Sequence, residues 1–365
     1  MGQLRTRPVT TAHVVAPDAL DDPTRPSGGN TYDRRICTGL SELGWSVRLH
    51  TVPGPRPGLD AEAPAALAES LDGVPDGSIV VLDGLVASWA PEVVVRAASR
   101  LRVTVLVHTP LAALMDEGAA EDAHRSELAV LSTAAAVLTT SAWTRRWLLD
   151  RYELDAGRVH TARAGTDTAD LASGTTTGGQ LLCVAAIVPG KGHDQLVQAL
   201  AQLTDLPWQC TFVGALHLDR PFVRRVMREA QDAGIADRLR LTGPLREDDL
   251  DALYAAADAV LLASRFETYG LVVTEALARG LPVVAARVGG VAEAVGRAPD
   301  GTSPGLLVPA DDPEAFAGAL RSWLCDAELR AGLRRSAHGR RLLLAPWSVT
   351  ARRVADVLEQ TGAEA

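Results

Sequence analysis

The sequence predicts an α/β protein of two doubly wound parallel-sheet domains that face each other across a cleft. Three observations carry this prediction. Short β-branched runs alternate with longer amphipathic stretches from end to end, which is the pattern of parallel strands joined by crossover helices. The alternation breaks once, in "SGTTTGG" (173–179), where seven residues offer no apolar anchor. At 365 residues the chain also exceeds what one ordinary core organises.

The first series of strands is read at "AHVVA" (12–16), "SVRLH" (46–50), "SIVVL" (78–82), "VTVLV" (103–107) and "AVLTT" (136–140), each followed by helix-like sequence. The second is read at "LLCVAA" (181–186), "CTFVG" (210–214), "RLRLTG" (238–243), "AVLLA" (259–263) and "PVVAA" (282–286). The expected organisation is therefore an N-terminal α/β domain over 1–172, a linker over 173–179 and a C-terminal α/β domain over 180–344. In the tail, 345–365, Trp347, Ala351, Val354 and Leu358 recur at alternating four- and three-residue spacing, the mark of a helix with one buried face. Such a helix can pack on either domain, and it is assigned to cross back to the first.

Composition excludes several classes. Apolar residues make up 47% and charged residues 22%, which is globular composition. A formal net charge of −9 argues against a nucleic-acid partner, and neither half is basic enough for a membrane-docking patch. No run approaches eighteen apolar residues, and "AHVVA" is too short for an export signal, so the expected location is cytoplasmic. Cys37, Cys183, Cys210 and Cys325 lie far apart without metal-ligand spacing and read as small core residues in a reducing compartment.

Motifs at strand ends hold the chemistry, because open α/β sheets bind ligands outside the carboxyl ends of their strands. The segment "SRFETYGLVVTEALARGLPVVAARVGGVAEAV" (264–295) puts Glu267 in a loop, Gly270 at a helix start and Glu275 about a turn inside that helix, with seven residues between the glutamates. The backbone N–H groups around Gly270 form a ready anion site. A second segment, "VAAIVPGKGHDQLVQAL" (184–200), contains Lys191, the one lysine among 36 basic side chains. Either codon bias left it there by chance, or the position needs a compact ammonium that a planar guanidinium cannot replace. Gly28 and Gly29 precede a helix whose Ile36, Leu40 and Leu43 form an apolar stripe, and they leave room for backbone amides to approach a diphosphate. His108 follows "VTVLV", at a carboxyl edge facing the cleft.

With these motifs the sequence resembles the family-4 glycosyltransferases, retaining enzymes of GT-B architecture with two Rossmann-like domains. The resemblance covers about residues 12–360. It implies that Glu267 contacts the donor sugar, that Thr268, Tyr269, Gly270 and Leu271 supply backbone amides beside sugar and phosphate, and that Glu275 holds the nucleotide ribose. Family members usually clamp the diphosphate with an arginine and a lysine. Here Lys191 and Gly192 match, but Ala186 stands where the arginine is expected, so a second cation must come from elsewhere, with Arg287 or Arg34 as candidates. The resemblance also makes Gly28 and Gly29 the glycine-rich donor loop and His108 the catalytic residue of the first domain, positioned beside the transferring sugar. "TTSAWTRRWLLDRY" and "RAGTDTAD" match family scaffold.

The function so implied is metal-independent transfer of a sugar, of the hexosyltransferase kind, from a nucleoside-diphosphate sugar to an acceptor hydroxyl or amine with retained configuration. The nucleotide sugar is a substrate and no cofactor is expected. No Asp-x-Asp motif ends a strand, and "LDDP" (20–23) has no partner cluster. Catalysis would rest on positioning and on charge stabilisation of the departing diphosphate, with Lys191, His108 and Glu267 in the catalytic roles. Rival readings are a sugar-nucleotide epimerase of similar fold, a pyridoxal-phosphate enzyme using Lys191, and a non-catalytic sugar-nucleotide-binding subunit, the last motivated by Ala186. The loops "RPGLDAEAP" (56–64) and "LAALMDEGAAEDAH" (111–124) give no readable acceptor preference.

Overall fold

The protein is described by a computed structural model covering residues 10–54, 62–115 and 117–363. The first nine residues and most of the 56–64 loop lie outside the described residues. The chain divides into two compact units, one of residues up to Asp21, Gly29–Ala164 and Trp347 onward, the other of Asp22–Gly28 and Gly165–Pro346.

Unit 1 runs β1 (Thr11–Pro17), α1 (Gly28–Glu42), β2 (Ser46–Val52), α2 (Glu62–Asp72), β3 (Ile79–Asp83), α3 (Gly84–Trp89), α4 (Pro91–Ala98), β4 (Arg102–Val107), α5 (Glu117–Thr133), β5 (Ala136–Thr139), α6 (Ala142–Arg151) and β6 (Val159–Thr161). Its six parallel strands lie in the order β2-β1-β3-β4-β5-β6. β3 and β5 are buried along their whole length and β4 nearly so, as expected where helices cover both faces of a parallel sheet.

Unit 2 runs β7 (Gln180–Val184), α7 (His193–Ala201), β8 (Gln209–Val213), α8 (Arg220–Asp232), β9 (Leu239–Gly243), α9 (Glu247–Ala256), β10 (Ala259–Leu262), α10 (Leu271–Ala278), β11 (Val283–Ala286), α11 (Val291–Val295), β12 (Gly305–Val308), α12 (Pro313–Cys325) and α13 (Ala327–Arg341). Its strands, also all parallel, lie in the order β12-β11-β10-β7-β8-β9. Trp323 and Phe212 are fully buried in a core shared by α7, α8, α12 and the sheet. The last helix, α14 (Trp347–Ala363), belongs to unit 1, where it packs on β3, β4 and β5. Trp347, Ala351, Val354 and Leu358 all face inward.

Helix starts follow from local chemistry. Ser141, Asp219, Asp312 and Asp326 each accept a backbone N–H of the first turn they precede, and Pro221 and Pro313 stand where a missing N–H costs nothing.

Several sequence expectations change. Each sheet gains a sixth strand, β6 and β12, three and four residues long, both at an edge. Gly28 and Gly29 are the first two residues of α1 rather than a loop before it. Ile36 and Leu40 are buried, but Leu43 falls beyond the helix end and is 41% exposed. Of the cysteines only Cys183 and Cys210 are core; Cys37 is half-buried and Cys325, at the end of α12, is exposed. The units divide at Ala164/Gly165, not at 172/173. "SGTTTGG" is tied into unit 2, because the fully buried carboxylate of Asp258 accepts Thr175 Oγ1 at 2.6 Å and Gln180 N at 2.9 Å, and pairs with Arg334 at 2.7 Å.

Candidate active site

In unit 2 the strand order reverses between β7 and β10, the neighbours from which the chain runs on to opposite sides of the sheet. At such a switch point the loops following the two strands part and leave a crevice. Lys191 lies in the loop after β7 and Glu267 in the loop after β10. The structure brings them together: Lys191 Nζ is 2.6 Å from Glu267 Oε1, and Ser264 Oγ donates to the same oxygen at 2.9 Å. Both side chains keep some surface, 33% for Lys191 and 13% for Glu267.

Two glycines make this approach possible. Gly192 has φ of 68°, and a Cβ there would lie 2.0 Å from the carbonyl oxygen of Ala263. Gly289, with φ of 48°, would place a Cβ 1.7 Å from the carbonyl oxygen of Glu267, while Gly290 N donates to that oxygen at 2.9 Å. Any side chain at either position would drive apart the backbones that carry the pair.

A brace on the far side completes the loop. Arg265 donates to Asp194 Oδ1 at 3.0 Å, to Asp194 Oδ2 at 3.1 Å, to the Pro189 carbonyl at 2.5 Å and to Asp311 Oδ1 at 3.0 Å, while its own N–H bonds the Gly190 carbonyl at 2.9 Å. The 189–192 turn is thereby fastened to the segment that bears Glu267. Sequence reading missed Arg265, Asp194 and Ser264; the only signal available was the position of Arg265 two residues before the glutamate.

Gly270 caps α10 with φ of 90°, and the N–H groups of Gly270 and Leu271 have no hydrogen-bond partner among the described residues. Thr268 and Tyr269 lead into this turn, Tyr269 being buried. Glu275 lies one turn inside α10 and is half-buried. Its Oε2 accepts the Tyr254 hydroxyl at 3.0 Å, and burial pushes its carboxyl above the usual range. Oε1 has no hydrogen-bond partner among the described residues.

In unit 1 a second cluster stands at the carboxyl ends of β3 and β4. His108 Nε2 is 2.7 Å from Asp33 Oδ1 on α1 and 3.9 Å from Asp83 Oδ2 at the end of β3. Asp33 and Asp83 are both nearly sealed, at 4% and 6% exposed. Asp83 also caps α3 by accepting Val86 N at 2.9 Å. The Tyr32 ring meets His108 edge-on at 5.2 Å, and a Cβ on Gly29 would come within 3.5 Å of the imidazole. Burial raises Asp83 to about 6, against the opposing pull of His108. For His108 burial disfavours the charged ring, but the charge and hydrogen bond of Asp33, with Asp83 behind them, outweigh it and hold the imidazole above its ordinary value.

Asp33, Asp83 and His108 are also the group, among the described residues, whose potential metal-ligating atoms lie within 4.8 Å of one another. Linear spacing shows no such cluster because the three residues come from three elements. The imidazole nitrogen that would ligate a cation is hydrogen-bonded to Asp33, which fits a carboxylate–imidazole pair better than a metal centre.

The two candidates for a second phosphate cation take other places. Arg34 is exposed on α1, 3.7 Å from Asp21, and Arg287 is exposed just past β11. His193, two residues after Lys191, is sealed in the core beside Cys183 Sγ at 3.7 Å, and burial lowers it to about 3, so it stays neutral.

Residues 173–340 match the family model described as "Glycosyl transferases group 1". This segment is similar to a glycosyltransferase group 1 domain. Curated relatives agree. The chain is 38% identical over 245 residues to the D-inositol 3-phosphate glycosyltransferase of Salinispora tropica, covering 60% of this chain and 49% of the relative. It is 35% identical over 276 residues to that of Acidothermus cellulolyticus, covering 68% and 60%. The chain thus spans about half to three-fifths of the length of these relatives. Among solved structures, sucrose-phosphate synthase from Thermosynechococcus elongatus superposes with a TM-score of 0.82 at 22% identity, over 98% of this chain and 100% of that one. Anabaena HepE, solved in complex with UDP-glucose, superposes with a TM-score of 0.76 at 17% identity, over 96% and 99%. With two parallel six-stranded sheets and these neighbours, the fold is that of the GT-B glycosyltransferases.

Proposed function

We propose that the protein transfers a sugar from a nucleoside-diphosphate sugar to an acceptor hydroxyl or amine, with retained configuration and without a metal ion or cofactor. The observation that carries this reading is the Lys191–Glu267 pair at the switch point of the group 1 domain, with the α10 N-terminus beside it in sequence. In this reading Lys191 neutralises the diphosphate, Glu267 accepts hydrogen bonds from sugar hydroxyls, the amides of Thr268–Leu271 line sugar and phosphate, and Glu275 takes a ribose hydroxyl through Oε1. At the start of α1, Gly28 and Gly29 leave room for backbone beside the donor, and His108 positions the sugar.

Lys191 need not abandon Glu267 to do this. An ammonium has three donors, of which the carboxylate engages one. Binding therefore adds phosphate to a pre-set ammonium, whose value rises as charge builds on the leaving oxygen. The names of the curated relatives make an inositol phosphate the first acceptor to try, and the UDP-glucose complex of HepE makes uridine diphosphate sugars the first donors. The test is a thermal-shift screen of uridine, guanosine and adenosine diphosphates and their sugars, followed by mass detection of a glycoside. A stabilising donor with no product on any acceptor would favour a sugar-nucleotide-binding subunit, the alternative that Ala186 supports. Product formed only by conversion of the donor would favour an epimerase.

A further inference from the structure

The proposed transfer gives His108 a place beside the sugar but no reason for its protonation state. We propose that Asp33 is a positioning residue that holds His108 as the imidazolium, with Nε2–H tied inward to the carboxylate, so that Nδ1–H is offered outward as a fixed donor to a sugar hydroxyl oxygen. This rests on the transfer reading for its use, though not for the pairing itself.

Three features of the site carry it. First, the 2.7 Å separation from Asp33 fixes Nε2 as a donor, because an ionised carboxylate only accepts. Second, Nδ1 has no hydrogen-bond partner among the described residues, and the side chain keeps 12% of its surface, so the ring is held on one side only. Third, the groups packed around it favour a cation. α1 contributes Asp33 at contact distance and Tyr32 edge-on, with Cys37 one turn beyond Asp33; β3 contributes Asp83 at 3.9 Å. Burial keeps the Tyr32 phenol and the Cys37 thiol neutral, the latter raised to about 11, so among the described residues the charges acting on the ring are the carboxylates of Asp33 and Asp83.

Two carboxylates for one imidazole also explain why both are present. Asp33 takes the proton-bearing nitrogen, while Asp83 spends one oxygen on the α3 cap and directs the other toward His108. A neutral ring in this site could choose either tautomer; a doubly protonated ring has no choice, and a donor is then always presented.

The experiment uses the full chain labelled with 15N in its histidine rings, with His108→Gln to assign the resonance. In the wild type His108 should keep both ring protons above the ordinary imidazole midpoint of about 6.5. Asp33→Asn, which keeps shape and an acceptor, should lower the His108 midpoint by about one unit or more, a tenfold loss of proton affinity. Asp83→Asn should lower it by less, since that carboxylate is farther away. The high-pH limb of kcat/KM for transfer should follow the same midpoint and move down with it in Asp33→Asn. A wild-type His108 that titrates below the ordinary range, or an Asp33→Asn midpoint equal to wild type, overturns the proposal. If the NMR shifts appear while the wild type transfers no sugar, the pairing stands and the transfer reading falls. Should Asp33→Asn not fold, Asp83→Asn decides: an unmoved His108 midpoint then counts against the carboxylate control.

Discussion

The two units place charge at their sheet ends in opposite ways. In unit 2 one ammonium meets one carboxylate, both partly exposed, and the balance is even. In unit 1 one imidazole meets two carboxylates that are almost sealed from solvent. The strand orders differ as well: unit 2 reverses direction at β7/β10, whereas unit 1 reverses at β1/β3, so its cluster draws on α1, which follows β1, and on the ends of β3 and β4. A partly exposed, even pair can take on a ligand through its remaining donors and acceptors at modest cost. A buried, uneven cluster does not; it fixes the state of one ring.

The largest effect expected from breaking this contrast is at Lys191. Lys191→Ala should lower kcat about a hundred- to a thousandfold with a smaller change in KM, because the charge it stabilises grows toward the transition state. Lys191→Arg should recover only part, since the guanidinium is wider and its charge more diffuse. Steady-state kinetics decide this, and full activity in Lys191→Arg would return the lone lysine to codon bias.

Next comes Glu275→Ala, which should weaken nucleoside-diphosphate binding by about 1.5–3 kcal/mol through loss of charge-assisted hydrogen bonds. Calorimetry reads it directly, and an unchanged Kd would remove Glu275 from the site.

Glu267→Ala sharpens the idea of a pair that can take on a ligand. Removing the carboxylate frees Lys191, so affinity for the free nucleoside diphosphate should hold or rise, while the extra affinity contributed by the attached sugar should fall. Equal losses for both ligands would show that Glu267 and Lys191 do not divide the donor between them.

A smaller effect is expected in the stability of unit 1. Asp83 is raised to about 6 in the folded chain, above an unfolded value of about 4. The folded state therefore binds its proton more tightly, and the contribution to stability is full below the unfolded value and lost as pH rises through 6. Asp83→Asn keeps the α3 cap and should flatten this part of the profile; urea midpoints at several pH values would show it. Parallel profiles for the two proteins would mean that burial does not perturb Asp83.

The smallest expected effect is none. Added EDTA should leave transfer unchanged if Lys191 takes the phosphate position, as proposed. Loss of activity restored by manganese would direct attention to Asp33, Asp83 and His108.

The sequence shows ten of the twelve strands, the parallel α/β class and the switch-point loops of unit 2. These are written in local periodicity and in residues close to strand ends, as with "AVLLA" followed by Glu267. It also determined the inward face of α14, since a helix with a 3.6-residue period needs no partner to declare its apolar side. The tertiary arrangement alone brings Lys191 Nζ to Glu267 Oε1 across 76 residues of sequence and converges Asp33 and Asp83 on His108. It alone also fixed Arg265 against Asp194 and the short edge strands β6 and β12. The physical reason is common to all of these. Each depends on sheet order, which places distant loops side by side, and sheet order is set by which strands pair and not by any pattern that a single strand carries.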